Sequence, residues 1–453
     1  MLIEDKDALQ IVTILAEKGY RSFFAGGCVR DALLGRAYKD IDIATDGKPE
    51  EITQLFSRTV QVGAHFGVVK VLVHGREYDV ATFRSDGEYI DGRHPVNVTY
   101  SSPEKDAARR DITINGMFYD PLRDEIVDYV SGREDLENKT VRAIGDPEKR
   151  IEEDKLRMLR IIRFAGTLGF EVAPDTCRAV KQLKHGISEV SVERVTEELI
   201  RMFEAERPAD CMDMLIDSGL MSVILPEVMD MNGVPQPPRF HPEGDVLEHT
   251  LLMMNLFQRG IPERFEPSLT VALAVLFHDI GKPRTFTESD RIRFSGHCIQ
   301  GTRMTEKIMK RLRFPGHIIE QVSDLVFQHM KFMEVENMRQ STLKRFLRQD
   351  NFDEHLVLHW LDCKGSHGDM TAYDFCVKKR DEFMQEEKTF IPDPLVNGND
   401  LIAEGYTPGP LFSDMLERAE DLQLEGAAET KEEILTYLRR EFPGDSREKR
   451  EKT

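Results

Sequence analysis

Residues 23–46, FFAGGCVRDALLGRAYKDIDIATD, constrain this chain more than any other stretch. Phe23 and Phe24 end a short apolar run that reads as a strand. Gly26 and Gly27 then permit a tight turn and let the backbone approach an anion with no Cβ in the way. Val29–Leu34 opens as a helix whose free N–H groups and positive dipole end suit phosphate, and Arg30 adds a charged fork there. After Gly35 the chain returns as Lys39–Ile43, an alternating strand that puts Asp40 and Asp42 on one face and Ile41 and Ile43 on the other. Two neighbouring carboxylates repel, and Mg²⁺ removes that cost while leaving positions for phosphate oxygens. The stretch therefore predicts a triphosphate cradle feeding a metal pair; the plainer reading is a glycine turn followed by solvated aspartates.

At 453 residues the chain is too long for one core and predicts two to four domains. Its 40% hydrophobic and 31% charged residues are those of a soluble globular protein. No apolar run reaches the length of a membrane span, and the acidic, Lys-bearing start does not read as a signal peptide. Six cysteines without CxxC spacing argue against a zinc knuckle or a disulfide framework and point to a reducing cytoplasm. A net charge of −20 weighs against nucleic acid, although total charge does not fix local fields. Residues 139–163 and 303–313 are both locally basic, so a cationic track on an acidic body fits the sequence.

Taken in order, residues 5–18 read as a helix, and Val68–Val73 with Tyr78–Phe83 read as a hairpin about His74-Gly75-Arg76. Asp79 lies in its second strand, and Arg84 follows it. Ser85–Pro95 reads as an exposed loop, and Arg109–Met117, RRDITINGM, carries a charged triplet before Asn115. Ile151–Leu168 predicts one largely buried helix closed by Gly169, so its charges Asp154, Arg157, Arg160 and Arg163 are paired or employed. Met231–Gly244 is rich in proline and glycine and reads as a boundary. Beyond it lie His249, His278-Asp279, His297, His329 and Asp362, each near helical apolar runs.

The cradle resembles motif A of the tRNA nucleotidyltransferase and bacterial poly(A) polymerase family, GG-x-VRD…LLG…D-x-D. RRDITINGM resembles its motif B, with Gly116 where alanine is usual; Asp128–Arg133 resembles motif C, Glu153-Asp154-x-x-Arg157 motif D, and Glu193-Arg194-Val195 the motif after it. The resemblance implies Asp40 and Asp42 as the catalytic metal ligands, with Asp79 as a third carboxylate. It implies Gly26, Gly27, Arg30 and Arg110 on phosphate, Asp111 on the ribose 2′-OH and Asn115 beside it. Arg160 and Arg163 join Asp154 and Arg157 as nucleotide-binding candidates. In the family the position of Ser85–Pro95 holds a mobile loop associated with the switch to ATP, which favours an enzyme able to add A. Val396–Pro410 resembles the family's tail repeat. The histidines and Asp362 resemble the HD phosphohydrolase signature, implying His249, His278, Asp279 and Asp362, with His297 and His329 as further ligands, around a divalent transition metal or Mg²⁺.

Motif D has a chemical reading of its own. Cytosine and adenine both show an amino donor beside a ring-nitrogen acceptor, where uracil and guanine show a carbonyl and an N–H. A carboxylate accepts from the amino group and a guanidinium donates to the ring nitrogen. Three apart on a helix, Asp154 and Arg157 would present that pair together; the alternative is an intrahelical ion pair worth about 0.5 kcal/mol. The expected fold is α+β: a nucleotidyltransferase α/β head over 1–140, a helical neck over 141–235, an HD domain over 236–365 and a helical tail over 366–453. The expected function is untemplated addition of C and A from CTP and ATP to the 3′ end of tRNA, in the cytoplasm, away from membranes and with no oligomeric state implied. An A-adding-only enzyme or a poly(A) polymerase is the alternative. An RNA 3′-end HD phosphohydrolase with a non-catalytic head, or a nucleotide-binding regulator, would not need the Asp40/Asp42 pair.

Overall fold

The computed structural model describes residues 2–38, 40–60, 67–86, 98–385, 390 and 393–443. The fold is α+β, and the chain divides into two compact units, Met1–Asp230 with Ile308–Phe314, and Met231–Lys307 with Pro315–Thr453. Among the described residues no helix is long and apolar enough to cross a membrane.

The first unit begins with the helix Lys6–Glu17, capped by the Asp5 side chain, and is then built on a mixed sheet. Its strands are β1 (Ser22–Ala25), β2 (Asp42–Thr45), β3 (Thr59–Val60), β4 (Val68–Val73), β5 (Arg76–Thr82), β8 (Phe118–Asp120) and β9 (Glu125–Val127), in the order β3-β4-β5-β2-β1-β8-β9. A separate two-stranded ribbon pairs β6 (Arg84–Asp86) with β7 (Val98–Tyr100). Most of the loop Ser85–Pro95 lies outside the described residues. The β4–β5 hairpin closes on His74 and Gly75, both at positive φ (47° and 84°), the turn geometry that matches strand twist. Phe23, Phe83 and Phe118 meet under the sheet with ring centroids 5.8–6.0 Å apart, among the buried Ala25, Ala44 and Ala107.

The strand expected over Lys39–Ile43 begins only at Asp42, and Lys39 lies outside the described residues. The alternation holds all the same: Ile41 and Ile43 are buried while Asp40 and Asp42 are exposed. Alternation follows from which faces the side chains take and does not require Asp40 to have a ladder partner.

The single helix expected over Ile151–Leu168 is two helices, Pro147–Glu153 and Arg157–Leu168. Asp154 sits in the break with extended backbone, φ −147° and ψ 105°. The cause is local. Its carboxylate accepts from the Leu156 N–H at 3.1 Å, a side-chain-to-backbone bond that competes with helical hydrogen bonding. Gly169 closes the second helix at φ 68°, as expected.

The second unit is helical. Val246–Arg259 and His297–Arg311 contain His249 and His297, Phe352–Gly365 contains Asp362, and His278 and His329 directly follow Leu269–Phe277 and Gly316–Gln328; every residue from Thr270 to Phe277 is buried. The tail helices Gly398–Ala403, Pro410–Leu424 and Lys431–Glu441 close over a small core including Leu401, Met415, Leu422 and Ile434.

Candidate functional site

A cavity of about 560 Å³ in the first unit is lined by most of the head and neck candidates. Strand register places the carboxylates. The parallel β2–β5 pair aligns Ile43 with Val80, both fully buried, so Asp42 and Asp79 sit side by side on the opposite face and both reach the cavity. The Asp42 carboxyl is pushed above its ordinary value by desolvation, with Arg110 opposing and the charges of Asp79 and Asp40 adding to the rise. That mutual destabilisation is the condition a bound cation relieves. Asp79 is half-exposed, and Lys70 on β4 stands 3.0 Å from its Oδ1. Asp40 is exposed beyond the start of β2 and is not among the residues lining the cavity.

The glycines behave as the sequence predicts. Gly26 takes φ 76° with ψ −130°, and a Cβ there would stand 3.0 Å from Arg110 Nη1. Both glycines and Arg30 line the cavity, although the Arg30 fork is largely engaged: Nε and Nη2 donate to Asp31 at 2.8 and 2.9 Å, and Nη1 donates to Asn115 at 2.6 Å. Arg110 is braced from behind. The buried Asp106 accepts from Arg110 Nη2 at 3.2 Å and from Arg109 Nε and Nη2 at 2.9 and 2.8 Å. Asp111 accepts from Arg160 Nε at 2.8 Å and from the Ile112 N–H at 2.9 Å. Burial opposes its ionisation, but Arg160 and the hydrogen bonds override this and hold its pKa at about 2. Asp111 is thus an acceptor across the ordinary pH range, with Asn115 Nδ2 also within 3.5 Å of its Oδ1. Gly116 departs from the usual alanine because a Cβ would stand 2.6 Å from Val130.

Asp154, Arg157 and Arg160 also line the cavity. The expectation that Asp154 and Arg157 are neighbours on one helix is corrected: the break leaves Asp154 outside the helix that begins at Arg157, and each has an ion partner of its own. Asp154 accepts from Arg194 at 3.2 and 2.7 Å. Arg157 donates to Glu153 and to the Arg150 carbonyl, both at 2.6 Å. Arg163 is not among the lining residues; its Nε donates to the buried Glu198 at 2.5 Å, and its guanidinium lies over the Phe164 ring at 4.1 Å. Asp106, Arg194 and Glu198 were therefore missing from the sequence-based site. Asp106 had a usable signal, lying three and four residues before Arg109 and Arg110 on a short helix. Arg194 stood in a recognised motif with no role attached, and Glu198 gave no sign.

The histidine cluster lies in the second unit, and none of its residues lines this cavity. His249 Nδ1 pairs with Glu243 at 2.6 Å, while its Nε2 stands 3.2 Å from Asp362 Oδ1. His278 Nδ1 faces the Val275 carbonyl at 3.0 Å, and its Nε2 is buried with no hydrogen bond, 3.1 Å from Asp279 Oδ2. His297 and His329 bring their Nε2 atoms 3.6 and 3.9 Å from Asp279 Oδ1. Lys282 pairs with Asp279 at 2.6 Å. Histidines held at Nδ1 by an acceptor present Nε2 lone pairs, the arrangement that orients metal ligands. Burial works against the His249 imidazolium, but Asp362 and Glu243 override it and raise its pKa to about 9; burial above all pushes His329 down to about 3. The donor set fits a divalent cation. Glu243 and Lys282 were not foreseen, Glu243 because it lies within the proline- and glycine-rich boundary.

Comparison with known proteins bears on both sites. The Poly A polymerase head domain description matches residues 22–142, the probable RNA and SrmB-binding site of polymerase A matches 169–231, and the HD domain matches 246–358. The CCA-adding enzyme of Bacillus pumilus is 44% identical over 214 residues, 47% of this chain and 53% of that protein, so the match spans about half of that relative. The CCA-adding enzyme of Streptococcus suis is 31% identical over 96% of both chains. The Bacillus stearothermophilus CCA-adding enzyme, solved in complex with CTP, superposes over 98% of both chains with a TM-score of 0.71 and 25% identity.

Proposed function

Because the chain belongs to the CCA-adding enzyme family, we propose that it adds C and A from CTP and ATP to the 3′ end of tRNA without a nucleic-acid template. One observation carries this reading: the paired carboxylates, the glycine cradle, the RRD segment and the Asp154/Arg157 pair line one cavity of about 560 Å³. A triphosphate needs charge relief, a ribose needs an acceptor and a base needs a reader, and each is met in the same space.

Asp42 and Asp79, with Asp40 two residues before Asp42, would hold the divalent cation, which we take to be Mg²⁺. Bound there, it supplies neutralising charge for the triphosphate and acidifies the attacking 3′-hydroxyl. The chain does the rest by positioning. Arg110, braced by Asp106, faces the phosphates beside Gly26. Asp111 stays ionised and accepts from the 2′-hydroxyl, which favours ribonucleotides. Asp154 accepts from the amino group of cytosine or adenine and Arg157 donates to the ring nitrogen, each held by its own partner, Arg194 and Glu153. The 3′-oxygen attacks the α-phosphorus and pyrophosphate leaves. The histidine cluster gives the second unit a metal-dependent phosphohydrolase activity, with a transition metal or Mg²⁺ held by His249, His278, Asp279 and Asp362, and His297 and His329 beside them.

The experiment uses purified protein, tRNA transcripts ending before CCA, after C and after CC, and each labelled NTP separately. Addition of C to the first two and of A to the third is expected. Incorporation of A alone, or long A tracts, would replace the proposal with an A-adding enzyme or a poly(A) polymerase.

A further inference from the structure

The half of the histidine cluster around His297 and His329 differs from the half around His249 and Asp362. His297 Nδ1 donates to the Phe294 carbonyl at 2.9 Å, and His329 Nδ1 donates to the Val326 carbonyl at 2.6 Å. A carbonyl only accepts, so each ring keeps its proton on Nδ1 and carries a lone pair on Nε2. Those two Nε2 atoms face each other at 3.1 Å inside the protein. Two lone pairs at that distance repel, and a cation shared between them relieves the repulsion.

A third donor stands beside them. Cys298 follows His297 at the start of the helix His297–Arg311, and its Sγ lies 3.6 Å from His297 Nε2. One donor atom from each of His297, Cys298 and His329 falls within 4.8 Å of the other two. The distances suit a real coordination sphere. An ion about 2.05 Å from each nitrogen and about 2.3 Å from sulfur would see angles of about 98° between the nitrogens and about 112° between His297 and sulfur, close to tetrahedral. Asp279 Oδ1 stands 3.6 Å from His297 Nε2 and 3.9 Å from His329 Nε2, a carboxylate oxygen beside the pair. Consecutive residues acting together have a precedent in the same cluster, where His278 and Asp279 bring their donor atoms to 3.1 Å.

We propose that His297, Cys298 and His329, with Asp279 shared from the neighbouring pair, form a sulfur-bearing position for a borderline divalent cation of the Zn²⁺ or Co²⁺ type. It rests on the reading of the second unit as metal-binding and adds to it a ligand and a metal preference. Binding releases the thiol proton to solvent, and the resulting thiolate favours Zn²⁺ and Co²⁺ over Mg²⁺. Among the described residues, the groups that His249 forms with His278 and Asp279, and with His241 and Glu243, contain no sulfur donor.

The full-length protein is stripped with a chelator and reloaded with Co²⁺, and metal content and absorbance are read together. A sulfur-to-cobalt charge-transfer band in the near ultraviolet is expected, lost in Cys298→Ser and in Cys298→Ala while helix content and nucleotide addition stay unchanged. In the unmodified protein, Zn²⁺ should also protect Cys298 from alkylation, read by peptide mapping, which needs no variant to fold. Cobalt retained without the band, or a band surviving both substitutions, overturns the sulfur position and leaves the metal site standing. A protein that retains no cobalt overturns both.

Discussion

Replacing Asp154 by alanine separates base reading from structural support, because the proposed reading gives the carboxylate both tasks. It accepts from Arg194 at 2.7 and 3.2 Å and from the Leu156 N–H at 3.1 Å. The ion pair is neither exposed nor fully buried, its side chains being 14% and 20% accessible. Its loss should cost about 2 kcal/mol, between the ~0–1 of an exposed pair and the ~3–5 of a broken buried one. The incoming amino group separately loses its acceptor, at about 1–3 kcal/mol, or roughly one to two decades in incorporation of CTP and ATP. UTP and GTP never used that acceptor, so their poor incorporation should fall much less and discrimination should narrow. Arg194→Ala removes the same ion pair and leaves the acceptor. It should destabilise comparably while keeping the ranking of the four nucleotides. The assay measures incorporation of each NTP into tRNA lacking CCA, normalised to protein shown to be folded by urea titration. A parallel decline of all four nucleotides in both variants would make Asp154 a structural residue and refute its role as base reader.

Asp42→Ala should abolish nucleotide addition and leave metal uptake by the histidine cluster intact; near-normal addition would disprove the metal assignment. Gly26→Ala forces a side chain to φ 76° against Arg110, so a stability loss of about 1–3 kcal/mol and a raised KM for NTP are expected in unfolding and kinetic measurements. The folded-state pKa of Asp111, about 2, lies below its ordinary value, so its contribution is present above about pH 4 and lost as pH falls towards 2. The stability gap between the wild type and Asp111→Asn, about 2 kcal/mol at most, should therefore be wider at pH 5 than at pH 3 in urea unfolding, and an equal gap would contradict the Asp111–Arg160 assignment. His278→Ala combined with Asp279→Ala should remove hydrolysis of phosphate esters stimulated by Ni²⁺, Mn²⁺, Co²⁺ or Mg²⁺ while sparing NTP addition; absence of hydrolysis by the unmodified protein would end that claim.

Much of both sites could be read from residue order because the chemistry is carried by short segments. A strand, a glycine turn and a helix start are local conformations, so the Gly26–Arg30 cradle needs only its own residues and a nearby sheet. Side-chain alternation placed Asp42 opposite Ile43 whether or not the strand reached Asp40. The His74-Gly75 turn and the Gly169 helix end followed in the same way from residues that tolerate positive φ. In these places the sequence determined the answer by itself.

Tertiary structure decided which charges meet. Asp42 and Asp79 became neighbours only through the parallel register of β2 and β5, a choice made between segments 37 residues apart in the numbering of the aligned Ile43 and Val80. Asp154 read as an interior helix residue because the helical period is blind to a carboxylate that captures the N–H two residues on. Once it did so, the helix broke and its ion partner became Arg194, forty residues away, rather than Arg157. The same holds for Asp106 under Arg110, Glu198 under Arg163 and Glu243 behind His249. Periodicity reports the face a side chain takes. Its partner across a packed interface depends on how whole helices and strands come together, and a buried charge takes whichever counter-charge that packing brings within hydrogen-bond reach.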